Sequence, residues 1–390
     1  MNKMKIVNIS LLAIVIVLTA CHDRSDVQVD PIMKIHNTDL HKEYKLSEII
    51  DSIQLIPLET SSNCLIGNCK KVLVSSQYIY IYDDVSKGLF VFDLKGKLKK
   101  RIKNLGKGPN EYLEIEDFCL SNNGDIALLD GGLKKVIFVN HLDFSLTDQQ
   151  IPFFADAIEF LDDKHLVFNG SAFEDRIIIW NYKNKSRVSS FIKYNKKSNS
   201  TRTLKPLIKY GDNVYYAHEF QTNLEQISVD NIKSCKYIDF GKYNFQGDFM
   251  KVRFLGITDL YINPPNTATI YNYTETESII YFQFQIEEHS DSPYFVFFSK
   301  TTKNKIILNN HNYEDDVVNY PYPPVIETST PNGGLVAILH PSFLLENSDK
   351  LKNKSGKLIN DNKFDSVNWV IKDLKITDNP IIAICYFKKM

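Results

Sequence analysis

The chain has 390 residues, 43% of them hydrophobic and 12% aromatic, with 46 basic against 47 acidic side chains. That balance lacks the electrostatic footprint of a nucleic-acid binder, and the apolar fraction is that of a folded protein. Six scattered cysteines form neither a disulfide framework nor a zinc-ligand spacing, although Cys64 and Cys69 are close enough in sequence to pair across a turn.

The first element is an export signal. Lys3 and Lys5 precede an apolar run from Ile6 to Leu18, and Thr19 and Ala20 lead into Cys21. The run is too short and too abruptly ended for a spanning helix. Leu18-Thr19-Ala20-Cys21 is similar to a bacterial lipobox, in which small residues fit the signal peptidase and the cysteine thiol takes a diacylglyceryl group. Residues 1–20 are thus expected to be a lipoprotein signal peptide, with Cys21 lipidated. Each buried CH₂ contributes about 0.8 kcal/mol, so two or more acyl chains hold a protein at a membrane without spanning it. No later segment has the roughly 18 consecutive apolar residues of a second span. Residues 21–45 are polar and aperiodic, the pattern of a flexible tether.

Residues 46–390 are long enough for one large all-β domain, and self-similarity organises them. The segment Tyr78–Ile102, YIYIYDDVSKGLFVFDLKGKLKKRI, holds an apolar strand, an acidic loop, a second strand, a Lys-Gly turn and a third strand. Related patterns start at Asp125, His165, Asn213, Ser278 and Gly334. The first intervals match the roughly 40–50 residues of a four-stranded propeller blade, and the later ones need insertions. IYIYD, LFVFD and VIFVN are rich in β-branched and aromatic residues, as strands require. Amphipathic helix is scarce, with one candidate over Pro341–Asn347. The spacing predicts an all-β fold, a six-bladed β-propeller of four-stranded antiparallel blades. Ile53–Thr60 (IQLIPLET) is a strand with no blade of its own. Pairing it with the terminal run PIIAICYFKK closes the ring and leaves few exposed edges. A pair of three-bladed fragments or sandwiches is the alternative architecture.

Between the first two repeats lies NLGKGPNEYLEIEDF, Asn104–Phe118. Gly106 and Gly108 permit positive φ, and Pro109 biases the residue before it toward extended backbone. A phosphate-binding loop needs a Lys-Ser/Thr ending and a following helix. A strand follows here, so the segment reads as a corner between blades. Glu111 is placed to accept backbone N–H bonds or to meet Lys107, and Tyr112 can pack its ring while its hydroxyl bonds. LIPLET (Leu55–Thr60), LIGNCKKV (Leu65–Val72), LFVFDLKGKLKKRI and GKGPNEY (Gly106–Tyr112) together resemble the six-bladed β-propeller lipoproteins of Bacteroidota, a TolB-like or NHL-like class. The resemblance is strong over residues 46–140 and rests on the blade pattern beyond. Asn110 replaces a glycine of the family's motif, and asparagine tolerates left-handed backbone. What the resemblance implies is a propeller and an address in the cell envelope, lipid-anchored at the outer membrane. It brings no catalytic residues.

Strand order places the acidic loops of the repeats on one face, with Asp83, Asp84, Asp130, Asn169, His218, Glu219 and His340. The Gly106–Tyr112 corner and the long inter-blade segments project to the same side. Loops on a rigid scaffold are where binding usually resides. The expected role is a binding module for a glycan, a peptide or an envelope protein. Its ligand-binding candidates are Asp84, Asp130, Lys107, Glu111, Tyr112, Tyr261, Tyr271, Tyr320 and Tyr322, the tyrosines offering flat amphipathic contact. The competing reading is a calcium-dependent hydrolase or lyase. In it His218 and His340 act as acid and base, with Asp130, Glu219 or Asp84 orienting them or holding a divalent cation. No Ser/His/Asp set has diagnostic spacing, so binding is the favoured reading.

Overall fold

The computed structural model describes residues 30–389 except 172, 194–204, 218–221, 245–266, 287–292, 319, 347–369 and 371. Three short strands precede the first blade: β1 (Met33–Lys34), β2 (Tyr44–Lys45) and β3 (Ile50–Pro57). Blade 1 is β4 (Cys69–Val74), β5 (Tyr78–Asp83), β6 (Gly88–Asp93) and β7 (Leu98–Ile102). Blade 2 is β8 (Asp117–Leu120), β9 (Ile126–Asp130), β10 (Lys135–Val139) and β11 (Leu146–Gln150). Blade 3 is β12 (Ala155–Phe160), β13 (His165–Gly170), β14 (Ile177–Asn181) and β15 (Ser186–Phe191). Blade 4 is β16 (Leu207–Tyr210), β17 (Asn213–Ala217), β18 (Asn223–Ile227) and β19 (Ile232–Asp239). Blade 5 is β20 (Ala268–Glu275), β21 (Ile279–Ile286), β22 (Tyr294–Ser299) and β23 (Lys305–Leu308). After β24 (Tyr313–Glu314), blade 6 is completed from both ends of the chain by β25 (Ile326–Ser329), β26 (Leu335–Leu339), β27 (Ile381–Phe387) and β3.

This is a six-bladed β-propeller. Each repeat found in the sequence begins at the second strand of a blade, and the orphan strand closes the ring. Its bounds fall at Ile50–Pro57, a few residues earlier than IQLIPLET, and it pairs antiparallel with β27 from Ile56↔Ile382 to Ser52↔Tyr386. The first strands lie innermost and follow one another around the axis, with β25 returning to β4. That closure excludes two separate three-bladed units. Residues 341–346 form the expected short helix.

The middle strands of most blades are dense apolar runs because neighbouring sheets bury both their faces, whereas outer strands such as β7, β11 and β15 carry polar, partly exposed residues. In β5, Ile79 and Ile81 pack toward blade 6 while Tyr80 and Tyr82 pack toward blade 2. Six apolar clusters fill the six gaps between neighbouring blades. Burying a large side chain contributes about 1.5–3 kcal/mol, so the gaps between sheets, rather than one central core, hold the disc together. Gly96 sits in the turn between β6 and β7 with φ +81, where a Cβ would lie 2.1 Å from the Pro57 carbonyl oxygen. Only glycine lets this turn approach the closing strand, where Glu59 N–H bonds the Gly96 carbonyl at 2.8 Å.

The tether expectation needs correcting for residues 30–45; residues 1–29 lie outside the described residues. β1 adds a fifth, parallel strand to the outer edge of blade 4, and β2 pairs with β24. Met33, Ile35 and Leu40 are buried in the cluster between blades 4 and 5, and Lys305 pairs with Asp39 at 2.7 Å. The segment is a strap along the rim. Its anchoring residues follow no period because they meet the edges of sheets already formed. Cys64 and Cys69 carry free thiols, and burial, followed by the charge of Glu59, pushes Cys64 up to about 11.

Candidate functional site

Antiparallel blades put two sets of connections on opposite sides of the disc. Second-to-third strand turns and the links between blades form a loop face. First-to-second and third-to-fourth turns form a turn face. The acids predicted to ring the loop face turn inward. Asp83 accepts N–H bonds from Asn68 (2.8 Å), Gly67 (3.2 Å), Ser86 (3.1 Å) and Val85 (3.3 Å). Burial alone would raise its carboxyl, but the Ser86 hydroxyl and these backbone donors hold it below the usual carboxylate range. Asp130 repeats the arrangement one blade on: one oxygen accepts from Leu113 (2.7 Å) and Glu114 (3.4 Å), the other from Leu133 (2.8 Å). Each acid ties its own turn to the loop entering its blade. Asp130 is therefore a structural clamp. Asp84 is partly exposed and receives the Asn68 amide at 2.9 Å.

The Gly106–Tyr112 corner is fastened in the same manner. Lys135, buried, donates to the carbonyls of Gly108 (2.8 Å) and Glu111 (3.1 Å) and pairs with Asp148 at 3.1 Å. Glu111 accepts from Gly108 N–H at 2.8 Å, and Asn110 takes φ 59, the left-handed backbone its glycine equivalent would supply. Tyr112 is fully buried and donates to the carbonyls of Lys87 (2.9 Å) and Ile102 (3.0 Å). Tyr112 and Glu111 thus build the corner, with Glu111 partly exposed, and Lys107 remains exposed.

The other candidates separate. His218, Glu219 and Tyr261 lie outside the described residues. His340 is exposed, its ring 6.4 Å from that of Phe343. Tyr320 and Tyr322 meet the same Phe343 ring edge-on, at 5.8 and 6.1 Å, and Tyr322 is 47% exposed. Tyr271 is half-buried, and burial raises its hydroxyl to about 12. Among the described residues no three His, Cys, Asp or Glu side chains are grouped to hold a metal ion. Most exposed large apolar residues among those described, including Val85, Leu105, Leu113, Phe154 and Phe173, sit on loop-face connections.

Two features lie on the axis. The first is a belt of charges on the innermost strands. Lys71 pairs with Asp117 at 2.6 Å across blades 1 and 2, and the other Asp117 oxygen accepts from Ile158 N–H of blade 3 at 2.9 Å. Lys209 of blade 4 stands 4.0 Å from Glu159 of blade 3. Lys205 pairs with Glu327 of blade 6 at 2.9 Å and touches Asn272 of blade 5 at 3.3 Å. Burial raises Glu159 to about 7, with Asp117 adding to the effect and Lys209 and Lys71 opposing it. A carboxyl held above its unfolded value of about 4.5 stabilises the fold below that pH, and the contribution disappears as pH rises through 7. Glu159→Gln is expected to remove a stability difference on the order of 3 kcal/mol between pH 5 and pH 8, read by urea denaturation of both proteins. Parallel pH profiles for the two proteins would refute it.

The second feature is a depression of about 1240 Å³ where the channel opens on the turn face. The first-to-second strand turns of blades 1, 2, 4, 5 and 6 line it: residues 75–78, 121–124, 210–213, 276–279 and 330–333. Ser75, Thr276 and Thr330 hydroxyls cap their turns by accepting N–H bonds from Tyr78 (3.0 Å), Ile279 (3.0 Å) and Gly334 (2.9 Å). Asn122 of blade 2 bonds Asp212 of blade 4 at 3.0 Å, so these two turns reach each other past blade 3. Sequence reasoning missed both axial features. Their signals are one or two charges in a mostly apolar first strand (DFCL, ADAIEF, LIKY) and a short polar turn after it (SSQY, SNNG, TPNG).

A family model described as a domain of unknown function (DUF4934) matches residues 30–386. No curated protein matches the sequence. Among solved structures, a candidate exported protein from Bacteroides fragilis is similar at a TM-score of 0.73 and 19% identity, covering 92% of this chain and 100% of that one. A member of the duf4221 family from Bacteroides vulgatus matches at a TM-score of 0.48 and 10% identity, covering 87% of this chain and 97% of its own. Virginiamycin B lyase from Staphylococcus aureus matches at 0.40 and 10%, over 73% of this chain and 80% of the lyase. At 19% identity the likeness to the Bacteroides fragilis protein is one of fold.

Proposed function

Since the chain belongs to the DUF4934 family, a family without an assigned activity, the site itself must supply the reading, and we propose a lipid-anchored binding module of the cell envelope that takes its ligand at the turn-face mouth of the channel. The observation that carries this is the depression of about 1240 Å³ framed by the turns of five blades. It is larger than an ordinary small-molecule pocket, roomy enough for an extended ligand, and it lies where turns on a rigid ring converge. The apolar Ile6–Leu18 run and Cys21 support export and anchoring, as does the description of the Bacteroides fragilis neighbour as exported. The roughly nine residues from Cys21 to Asp30 reach no more than about 30 Å. Because β1 lies on the outer edge of blade 4, such an anchor holds the disc by its rim and leaves both faces open. Cys21→Ser is expected to move the protein from the membrane to the soluble fraction; retention in the membrane pellet would refute the anchor.

A second reading rests on the exposed apolar side chains of the loop face, which suit a partner polypeptide. An array of glycans and peptides probed with the full chain separates the two. The mouth reading expects capture that is lost when Asn123 and Asn332 are both changed to alanine. Capture lost instead in the triple variant Val85→Ser, Leu113→Ser, Phe173→Ser transfers the site to the loop face. Capture by neither route ends the binding proposal.

A further inference from the structure

The chemistry of the mouth narrows its ligand, on the premise that the mouth is the binding site. Most of its charges have partners, the exception being Glu277, exposed and in no ion pair among the described residues. Glu275 is bracketed by Lys236 and by Lys300 at 2.6 Å, and His141 meets Asp125 at 2.8 Å. Lys209 faces Glu159, and Asp212 receives the Asn122 amide. A polyanion or polycation entering here finds few unmatched countercharges and would have to break pairs already made. Apart from Glu277, what stands free is uncharged. The amides of Gln77, Asn123 and Asn332 are exposed at the rim and make no side-chain hydrogen bond among the described residues. Each amide offers donors and acceptors together, as a hydroxyl-rich ligand requires. The rings of Tyr78, Tyr210 and Tyr386 line the same depression, partly exposed. Aromatic faces beside amide groups match a molecule with apolar C–H faces and hydroxyl edges.

We infer that the turn-face mouth binds a neutral oligosaccharide. The amides read its hydroxyl pattern and the tyrosine rings cover its C–H faces. A sugar ring is bulky and only lightly hydrated on its C–H faces, so the depression accommodates several residues of a chain lying across the axis.

The test is calorimetric titration of the full chain with neutral fragments of β-glucan, mannan and xylan, with polygalacturonate and a mixed peptide set as the charged and polypeptide alternatives. The expected result is saturable binding of at least one neutral fragment, unchanged by added salt and weakened at least tenfold by Asn123→Ala with Asn332→Ala. Both positions are exposed turn residues, so the double variant keeps its fold, checked by circular dichroism. Tyr78→Ser provides a second variant with the same expected loss. Binding confined to polygalacturonate or peptides, and lost in the Asn123/Asn332 variant, overturns the saccharide inference while leaving the mouth as the site. Binding of a neutral fragment that survives both variants overturns the inference and the mouth reading together, as does the absence of binding by every probe.

Discussion

Replacing Glu275 with leucine is expected to destabilise the protein by about 3–5 kcal/mol, because it leaves two lysines without their counter-ion between blades 4 and 5. Glu275 is 3% exposed at the end of the first strand of blade 5. It pairs with Lys236 from the outer strand of blade 4 and with Lys300 at 2.6 Å, and it accepts the buried Tyr273 hydroxyl at 2.8 Å. Burial would raise its carboxyl, but the two ammonium groups hold it below the usual carboxylate range. The lysines also rest on aromatic faces, Lys236 4.0 Å from the Tyr215 ring centroid and Lys300 4.0 Å from that of Tyr210. A depressed carboxylate contributes above its unfolded pKa and loses that contribution as pH falls through the folded value. The difference between parent and variant should therefore be largest near neutrality and narrow below about pH 4. Adding Lys236→Met and Lys300→Met should recover part of the loss, since the unmatched charges go with them. Urea denaturation followed by circular dichroism measures each step. A loss under about 1 kcal/mol, or a triple variant no more stable than the single one, would contradict the account.

Asp130→Asn is expected to cost about 3 kcal/mol, equally with and without calcium. The carboxylate of Asp130 accepts from three backbone N–H groups, Leu113, Glu114 and Leu133. Hydrogen bonds to a charged acceptor contribute about 1.5–3 kcal/mol each, and an asparagine turns one acceptor into a donor that faces a donor. The link that follows the Gly106–Tyr112 corner then loses its fastening at Leu113 and Glu114, while Lys135 and the Tyr112 hydroxyl still hold the corner itself. The sequence offered Asp130 as a cation ligand, in which case calcium would raise the melting temperature and the substitution would erase that rise. The geometry expects a lower melting temperature in the variant and no calcium dependence in either protein, checked by thermal denaturation with calcium and with chelator. A calcium-dependent rise confined to the parent would restore the metal reading.

These two sites illustrate where sequence reasoning succeeds and stops. Asp83 and Asp130 stand out as acids that end a strand and open a loop, so their position was legible. Their role was not, because the N–H groups they accept come partly from a link of the chain 15–17 residues earlier. The packing ring and bonding hydroxyl expected of Tyr112 are both found, directed inward. Glu275, Lys236 and Lys300 attracted no notice, since each is one charge among many until blades 4 and 5 lie side by side.

The amino-acid sequence by itself determined the blades and their number. The middle strands of the blades are buried on both faces, so most of them are dense apolar runs between polar turns, and that contrast repeats along the chain. It also determined the closure, because a strand without a blade at one end has a partner at the other. Only the tertiary structure decided the rim strap of residues 30–45, the inward aim of the acids, the charged belt and the mouth on the turn face. Each of these joins residues apart along the chain, most of them from different blades. Closing the ring brings them together, and no local pattern of residues encodes such a distance.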